Sequence, residues 1–161
     1  MTDHRQMADE THEQVIVRAA RPGDQAEITA MIRRARLNPR NLDWSRFVVA
    51  ERDGTVVGCG QVRVYADGAR ELASLAVERS SRGQGIASDI IDTLLADDRD
   101  DTYTLIDRRF ARHFRRWGFH TVDPGELPRT VLRTYRIGRT VTALASVLTR
   151  RRIRIVPLKR P

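Results

Sequence analysis

The sequence of 161 residues predicts an α/β (α+β) fold, with a mostly antiparallel sheet of about six to seven strands flanked by helices. Two observations predict it. Short β-branched segments alternate with stretches whose apolar residues recur at helical spacing. Asp-Gly turns at Asp53-Gly54 and Asp67-Gly68 join three successive strands into an antiparallel meander. The length suits a single domain, which we expect over residues 15–161, after a polar, flexible N-terminal arm at residues 1–14.

The N-terminal half begins with a β-branched strand, and a helix follows the Arg21-Pro22-Gly23-Asp24 turn. Pro39 and its asparagine neighbours then break the helical period, which predicts an irregular segment ending near Trp44. Strands are expected at residues 15–19, 47–50, 55–65 and 71–78, and the helix at residues 26–36.

The C-terminal half opens with the clearest helix, from Ile86 to about Leu95. We expect a strand at 102–106, a helix at 109–117, a strand at 119–122, a helical excursion at about 129–149 and a last strand at 153–158. The excursion is expected to be interrupted near Gly138. Pro157 should restrict the last strand to the sheet edge, or lie at the strand's end.

The basic charge is concentrated at the C-terminus. Residues 127–161 contain ten basic and no acidic residues, which leaves 19 basic and 21 acidic residues in the rest of the chain. Lys159 is the only lysine, so nearly all of this charge is guanidinium, which suits planar contacts with phosphates and carboxylates.

Composition excludes several classes of protein. No apolar run approaches the ~20 residues of a membrane span, so no transmembrane helix is expected. Cys59 is the only cysteine, which rules out an intrachain disulfide and a cysteine-based metal site within one chain. It lies in an apolar run, where an inert core thiol is favoured over a reactive one. We expect no metal, and a reducing cytoplasm is the simplest location.

A glycine-rich turn carries the strongest functional signal. The run Arg82-Gly83-Gln84-Gly85-Ile86-Ala87-Ser88 follows a predicted strand and opens a predicted helix. Helix N-termini leave backbone N–H groups unpaired and attract phosphate, and the glycines remove side chains that would block a ligand. The turn lacks the lysine of a Walker loop and the third glycine of a dinucleotide site, so an ordinary turn is the alternative.

These residues, with their neighbours, resemble the GNAT superfamily of acyl-CoA-dependent N-acetyltransferases. Its R-x-x-G-x-[G/A] pattern is similar to residues 82–87, its L-x-V strand to Leu75-Ala76-Val77, and its closing element to Trp117-Gly118-Phe119. The resemblance covers roughly residues 15–123 and the last strand. It implies a mixed sheet that splays at a cleft for acetyl-CoA, the cosubstrate.

The same resemblance assigns the cofactor-binding residues. The backbone of Leu75, Ala76 and Val77 would hold the pantetheine and acyl group. The pyrophosphate would be held by Arg82, Gly83, Gln84, Gly85, Ile86, Ala87 and Ser88.

The resemblance also points to a catalytic base and leaves the acid open. Glu71 stands where several members carry a catalytic glutamate, and strand alternation would put it on the same side as Ala73 and Leu75. A surface glutamate is the alternative. Phe114 occupies the place of a frequent tyrosine acid and has no proton to give. His113 on an exposed helix position, Tyr135, Tyr65 or no enzyme acid remain as alternatives.

We therefore expect an N-acetyltransferase that acts on a primary amine of a small, acidic or amino-acid-like acceptor. The alternatives are a non-catalytic acyl-CoA sensor and an acetyltransferase of aminoacyl-tRNA. The basic residues at 129–139 fit an acidic small molecule or a solvated face better than nucleic acid, because Tyr135 is their only aromatic residue. Arg150-Arg151-Arg152 could instead meet the CoA 3′-phosphate, and a homodimer through the tail stays open.

Overall fold

A computed structural model describes residues 14–97, 100–149 and 153–161. These residues form one seven-stranded sheet in the order β1-β2-β3-β4-β5-β7-β6. The strands are β1 (Ile16–Ala19), β2 (Phe47–Arg52), β3 (Thr55–Val64), β4 (Arg70–Val77), β5 (Thr102–Asp107), β6 (His120–Thr121) and β7 (Ile155–Arg160). The α-helices are α1 (Gln25–Arg34), α2 (Ile86–Leu95), α3 (Ala111–Phe114) and α4 (Arg129–Thr149). The predicted arm falls almost entirely outside the described residues, as do Arg150, Arg151 and Arg152.

The sheet is mixed and splays at its centre, as the resemblance implied. All neighbouring strands pair antiparallel except β4 and β5, which are parallel. Their ladder joins residues 70–72 to residues 102–104 and ends at the pair Leu72 and Thr104. There the Thr104 hydroxyl donates to the Leu72 carbonyl at 2.9 Å. Beyond this bond the two strands separate.

Helices cover both faces of the sheet. On one face, α1 packs through Ile28 and Ile32 against a cluster that includes Cys59, and α4 packs through Val131 against a cluster that includes Tyr103. Helices α2 and α3 cover the opposite face. We call the first face the α1–α4 face and the second the α2–α3 face.

Burial settles the interpretation of the single cysteine. Cys59 is fully buried in the α1 cluster, and desolvation raises the pKa of its thiol to about 12. The thiol therefore stays protonated near neutral pH and behaves as an inert core residue.

Two expectations about the C-terminal part are wrong. Helix α4 runs without a break through Gly138, where an added Cβ would lie 3.3 Å from Ile155 Cδ1, so the glycine allows close packing on β7. Strand β7 lies between β5 and β6 rather than at the edge. Pro157 is tolerated because its carbonyl accepts from Val122 N on the β6 side, and the missing N–H faces the same short strand.

Candidate functional site

The splay leaves one backbone edge of β4 without a neighbouring strand. After Leu72, β4 continues to Val77 and pairs only with β3 on its other side. Leu75 and Val77 pack on the α2–α3 face, whereas Ala76 is buried on the α1–α4 face. The three residues expected to hold pantetheine thus form a strand with one unpaired edge, along which the backbone groups of alternate residues point away from β3.

A β-bulge at Ser74 shapes this strand. Gln61 pairs with Ala73 and Cys59 with Ala76, so two β4 residues oppose Gly60 alone. Ser74 adopts a left-handed backbone at φ 56°, which costs a non-glycine residue about 1–2 kcal/mol. Its hydroxyl accepts hydrogen bonds of 3.0 Å from the side chains of Gln61 and Arg63, which hold the bulge in place.

The bulge overturns the expected alternation along β4. Glu71, Ala73 and Leu75 do not share one side, because the extra residue reverses the strand's pattern after Ala73. Leu75 packs against the α2 helix, while Glu71 contacts residues of the α1–α4 face. The sequence contained no glycine at position 74 to signal the bulge.

The glycine turn has the geometry of an anion site. Gly83 and Gly85 have φ of 76° and 84°, and an added Cβ at either would find no atom within 4 Å. Gly85 is the N-cap of α2, and its carbonyl accepts from the N–H of both Ser88 and Asp89. The turn is therefore open to the outside, with the first amides of a ten-residue helix beside it.

The side chains of the turn have separate tasks. Arg82 is exposed, and its Nε donates to the Val77 carbonyl at 3.0 Å, which ties the turn to the end of β4. Ile86 is buried and anchors α2, whereas Ala87 and Ser88 are only partly buried at its first turn. The backbone and the exposed guanidinium are left to meet a phosphate.

Two basic side chains that the sequence did not single out also reach this turn. Arg52 at the end of β2 contacts Ser81 and Gln84, and Arg116 contacts Ser88. Neither lies near the motif in sequence, so only the fold brings them together.

Glu71 belongs to a buried polar cluster at the start of the splay. It is 4 % exposed, accepts a hydrogen bond from the Tyr65 hydroxyl, and lies 4.0 Å from an Arg63 nitrogen. Burial raises the pKa of Glu71, while the Tyr65 hydrogen bond and the Arg63 charge act in the opposite direction. The alternative of a surface glutamate is wrong, and burial favours the protonated form of this carboxyl group.

The loop before β2 covers this cluster. Arg63 donates to the carbonyl of Arg40, and Gln61 donates to the carbonyl of Asn41. Both donors are buried on β3. The irregular segment predicted from Pro39 therefore packs over the polar cluster, rather than standing clear of the sheet.

The position expected for a tyrosine acid is apolar. Phe114 is buried, with edge-on ring contacts to Trp117 and Phe119 at centroid distances of 5.7 Å. His113 beside it is exposed, as its helical position suggested. Of the phenols, Tyr65 contacts Glu71, and Tyr135 is buried on α4 beneath Arg139.

A basic cavity of about 330 Å³ lies where β5 ends and β7 begins. Three arginines line it from separate elements: Arg108 after β5, Arg139 on α4 and Arg154 before β7. Tyr135 also lines it. Of the basic residues at 129–139 that the sequence singles out, Arg139 lines this cavity, whereas Arg129, Arg133 and Arg136 do not.

A larger cavity of about 430 Å³ lies at the other end of the sheet, beside Asp67 and Gly68. Its lining includes Arg70 and Tyr103, from the part of β4 and β5 that is still paired. It is therefore separated from the splay by the paired ends of these strands.

The described residues contain neither a membrane-spanning helix nor a group of metal ligands. None of their helices is long and apolar enough to cross a membrane. In the same part of the chain, no three His, Cys, Asp or Glu side chains group together in a way that could hold a metal ion.

Comparison with known families gives one match. A model described as an acetyltransferase (GNAT) domain matches residues 43–121, a span from just before β2 to β6 that includes the splay and the glycine turn. No curated protein matches the chain.

Solved structures share the fold. N-acetylglutamate synthase from Neisseria gonorrhoeae, complexed with coenzyme A and L-arginine, is 25 % identical with a TM-score of 0.68 over 91 % of this chain and 32 % of its own. The chain thus spans about a third of that protein.

A second protein matches along nearly its whole length. Rv2747 from Mycobacterium tuberculosis, in complex with CoA and NLQ, is 26 % identical with a TM-score of 0.67, covering 90 % of this chain and 98 % of its own. An acetyltransferase from Salmonella typhimurium with acetyl-CoA, 19 % identical with a TM-score of 0.56 over 68 % of this chain and 82 % of its own, shares the fold.

Proposed function

Because the chain belongs to the GNAT superfamily of acetyltransferases, we propose that it transfers an acetyl group from acetyl-CoA to the primary amine of a small acidic or amino-acid-like acceptor. The observation that carries the acceptor class is the cavity lined by Arg108, Arg139 and Arg154. A reducing cytoplasm, where acetyl-CoA is available and Cys59 stays a thiol, suits this reaction.

The donor site is built from backbone. The pantetheine and acyl group would lie along Leu75, Ala76 and Val77, whose free edge faces the splay. The pyrophosphate would lie on residues 82–88, where both glycines leave open space. The residues present fit the cosubstrate, since an extended chain with a diphosphate needs a strand edge followed by an anion site.

Position supplies much of the catalysis in this proposal. The amine nitrogen attacks the thioester carbonyl, a C–N bond forms, and the C–S bond then breaks to release the CoA thiolate. Holding two reactants in contact can contribute several kcal/mol to lowering the barrier. In this proposal, a β4 N–H beside the Ser74 bulge would stabilise the negative charge that develops on the thioester oxygen.

Glu71 is the proposed base. The acceptor amine must lose a proton before or during attack, and Glu71 lies one residue before the last paired residue of β4, Leu72. Its raised pKa brings it closer to neutral pH than an exposed glutamate. The hydroxyl of Tyr65 donates a hydrogen bond to the carboxylate and fixes its orientation.

Phe114 cannot protonate the departing thiolate, so a proton must come from another group. We assign Tyr135 as the candidate proton donor, because it lines the cavity at the end of β5 and Tyr65 already contacts Glu71. Departure of the thiolate into solvent is the alternative.

The acceptor site supports an acidic molecule. Three guanidinium groups in one small cavity favour carboxylates, which they can bind through paired N–H donors. The similarity to N-acetylglutamate synthase from Neisseria gonorrhoeae supports the same class. A primary amine with one or two carboxylates, such as an acidic amino acid, fits both observations.

A turnover assay tests the function. Acetyl-CoA is incubated with acidic, neutral and basic amino acids, polyamines and aminoacyl-tRNA, and the released thiol is read with a chromogenic disulfide. We expect the highest kcat/KM with acidic amino acids and the lowest with polyamines. A preference for polyamines would contradict the acceptor class, and saturable acetyl-CoA binding without turnover on any acceptor would favour the sensor.

An activity restricted to aminoacyl-tRNA would support the RNA-directed alternative. The affinity of the protein for aminoacyl-tRNA should then fall steeply with salt concentration, because each phosphate contact releases counterions.

A further inference from the structure

Two arginines from outside the glycine motif approach it from different elements. Arg52 ends strand β2, and Arg116 lies in the helical turn after α3. Arg52 contacts the start of the turn at Ser81 and Gln84, and Arg116 contacts its end at Ser88.

The Arg52 side chain is held against the turn by hydrogen bonds, and one of its N–H groups is still without an acceptor. Its Nη2 donates to Gln84 Oε1 at 2.5 Å, and its Nη1 lies 3.5 Å from Ser81 Oγ. Its Nε is buried and has no hydrogen-bond partner among the described residues. A buried cationic N–H without an acceptor is unfavourable, so this group points to an anionic acceptor beside the turn.

Arg116 is held in place by an aromatic ring. Its guanidinium lies 4.8 Å from the centroid of Trp117, and the Trp117 indole N–H donates to Asp92 at 2.6 Å. From there an Arg116 nitrogen reaches Ser88 Oγ at 3.4 Å. An arginine stacked in this way loses less conformational freedom when it binds a phosphate.

We propose that Arg52 and Arg116 bind and position the diphosphate of the acetyl donor, one at each end of the glycine turn. This inference rests on the proposed use of acetyl-CoA. With Arg82 they place three guanidinium groups around the turn, against the single carboxylate of Asp89 in the first turn of α2. Arginine suits the task because its planar fork can donate to two phosphate oxygens at once.

A series of truncated donors tests the inference. Initial rates are measured with acetyl-CoA, acetyl-3′-dephospho-CoA and acetyl-pantetheine for the wild type, Arg52→Gln and Arg116→Gln. Each variant should raise KM for acetyl-CoA and for the dephospho donor by about tenfold, the loss of one charge-assisted contact. With acetyl-pantetheine, which lacks the diphosphate, KM should match the wild type.

A matched variant controls for charge alone. Arg129→Gln removes an equivalent exposed charge at the start of α4, where Thr130 contacts Asp67 at the other end of the sheet. It should leave all three KM values unchanged. The inference would be overturned if both arginine variants kept the wild-type KM for acetyl-CoA, or if their KM for acetyl-pantetheine rose equally. In either case the wild type would still use acetyl-CoA. A wild type that binds no CoA would instead overturn the proposed function.

Discussion

The donor and acceptor halves of the candidate site are built in different ways. The donor half comprises residues 75–77 and 82–88, and it acts mainly through backbone atoms and open space at two glycines. The acceptor half comprises the Glu71 cluster and the arginine cavity, whose residues come from β3, β4, α4 and the one end of the sheet where β5 ends and β7 begins. Local sequence can encode the first half, but only tertiary packing assembles the second.

The glycine turn of the donor half and the Glu71 cluster of the acceptor half also differ in solvent exposure. Gly83, Gln84 and Gly85 are exposed, whereas Glu71 and Arg63 are both 4 % exposed. Substitutions in the donor half should therefore change cosubstrate binding, and substitutions in the acceptor half should change proton transfer or acceptor recognition.

Loss of the Glu71 carboxylate should have the largest effect. Glu71→Gln keeps the shape and removes the base, so kcat should fall by about 10²–10⁴ at neutral pH. The KM for acetyl-CoA should stay near the wild-type value, because Glu71 lies outside the donor half. Steady-state kinetics with acetyl-CoA as the varied substrate measure both quantities. An unchanged kcat would remove Glu71 from the mechanism.

Each arginine of the basic cavity should contribute to acceptor recognition. Replacing Arg108, Arg139 or Arg154 with glutamine removes one guanidinium from the cavity. The KM for the acidic acceptor should rise by about tenfold or more, as expected for the loss of a hydrogen bond between charged groups. The donor KM should not change. Equal increases in both constants would show that the two halves are not separable.

A methyl group in the glycine turn should weaken donor binding to a lesser degree. Gly85→Ala meets no atom within 4 Å, but its φ of 84° is strained for alanine by about 1–2 kcal/mol. We expect acetyl-CoA binding by calorimetry to weaken severalfold, because the strain displaces the turn. Gly23→Ala, which also meets open space but has no left-handed backbone, is the control and should bind like the wild type.

The pH profile should reveal the environment of Glu71. A base must be deprotonated, so kcat/KM should fall as pH decreases through the pKa of Glu71, which burial raises above its usual range. The Tyr65 hydrogen bond lowers that pKa, so Tyr65→Phe should move the acidic limb to higher pH. If the acidic limb of the pH profile were unchanged in Tyr65→Phe, the assignment of Glu71 as the base would be contradicted.

The raised pKa of Glu71 also makes the stability of the fold depend on pH. A glutamate whose folded pKa is raised contributes stability below its unfolded pKa and loses it as pH rises through the folded pKa. Glu71→Gln should therefore gain stability relative to the wild type as pH rises through that range. Thermal unfolding at several pH values measures the difference.

The sequence predicted most of the sheet, together with the strand, turn and helix on which the donor half is proposed, because each of these elements has a local pattern. The details it missed have tertiary causes. Ser74 is left-handed because Gln61 and Arg63 hold its hydroxyl, and α4 is continuous at Gly138 because β7 packs against it. Arg108 and Arg154 join Arg139 only after β5 and β7 pair.

Hydrogen exchange with and without acetyl-CoA is the direct test of whether the splay and the glycine turn bind the cosubstrate. If the splay and the glycine turn hold the cosubstrate, slower exchange should be concentrated in residues 73–77 and 83–88, whose amides would gain a ligand or lose solvent. The pocket beside Asp67 should exchange at the same rate in both states. Saturating acetyl-CoA that protects neither segment would contradict the account.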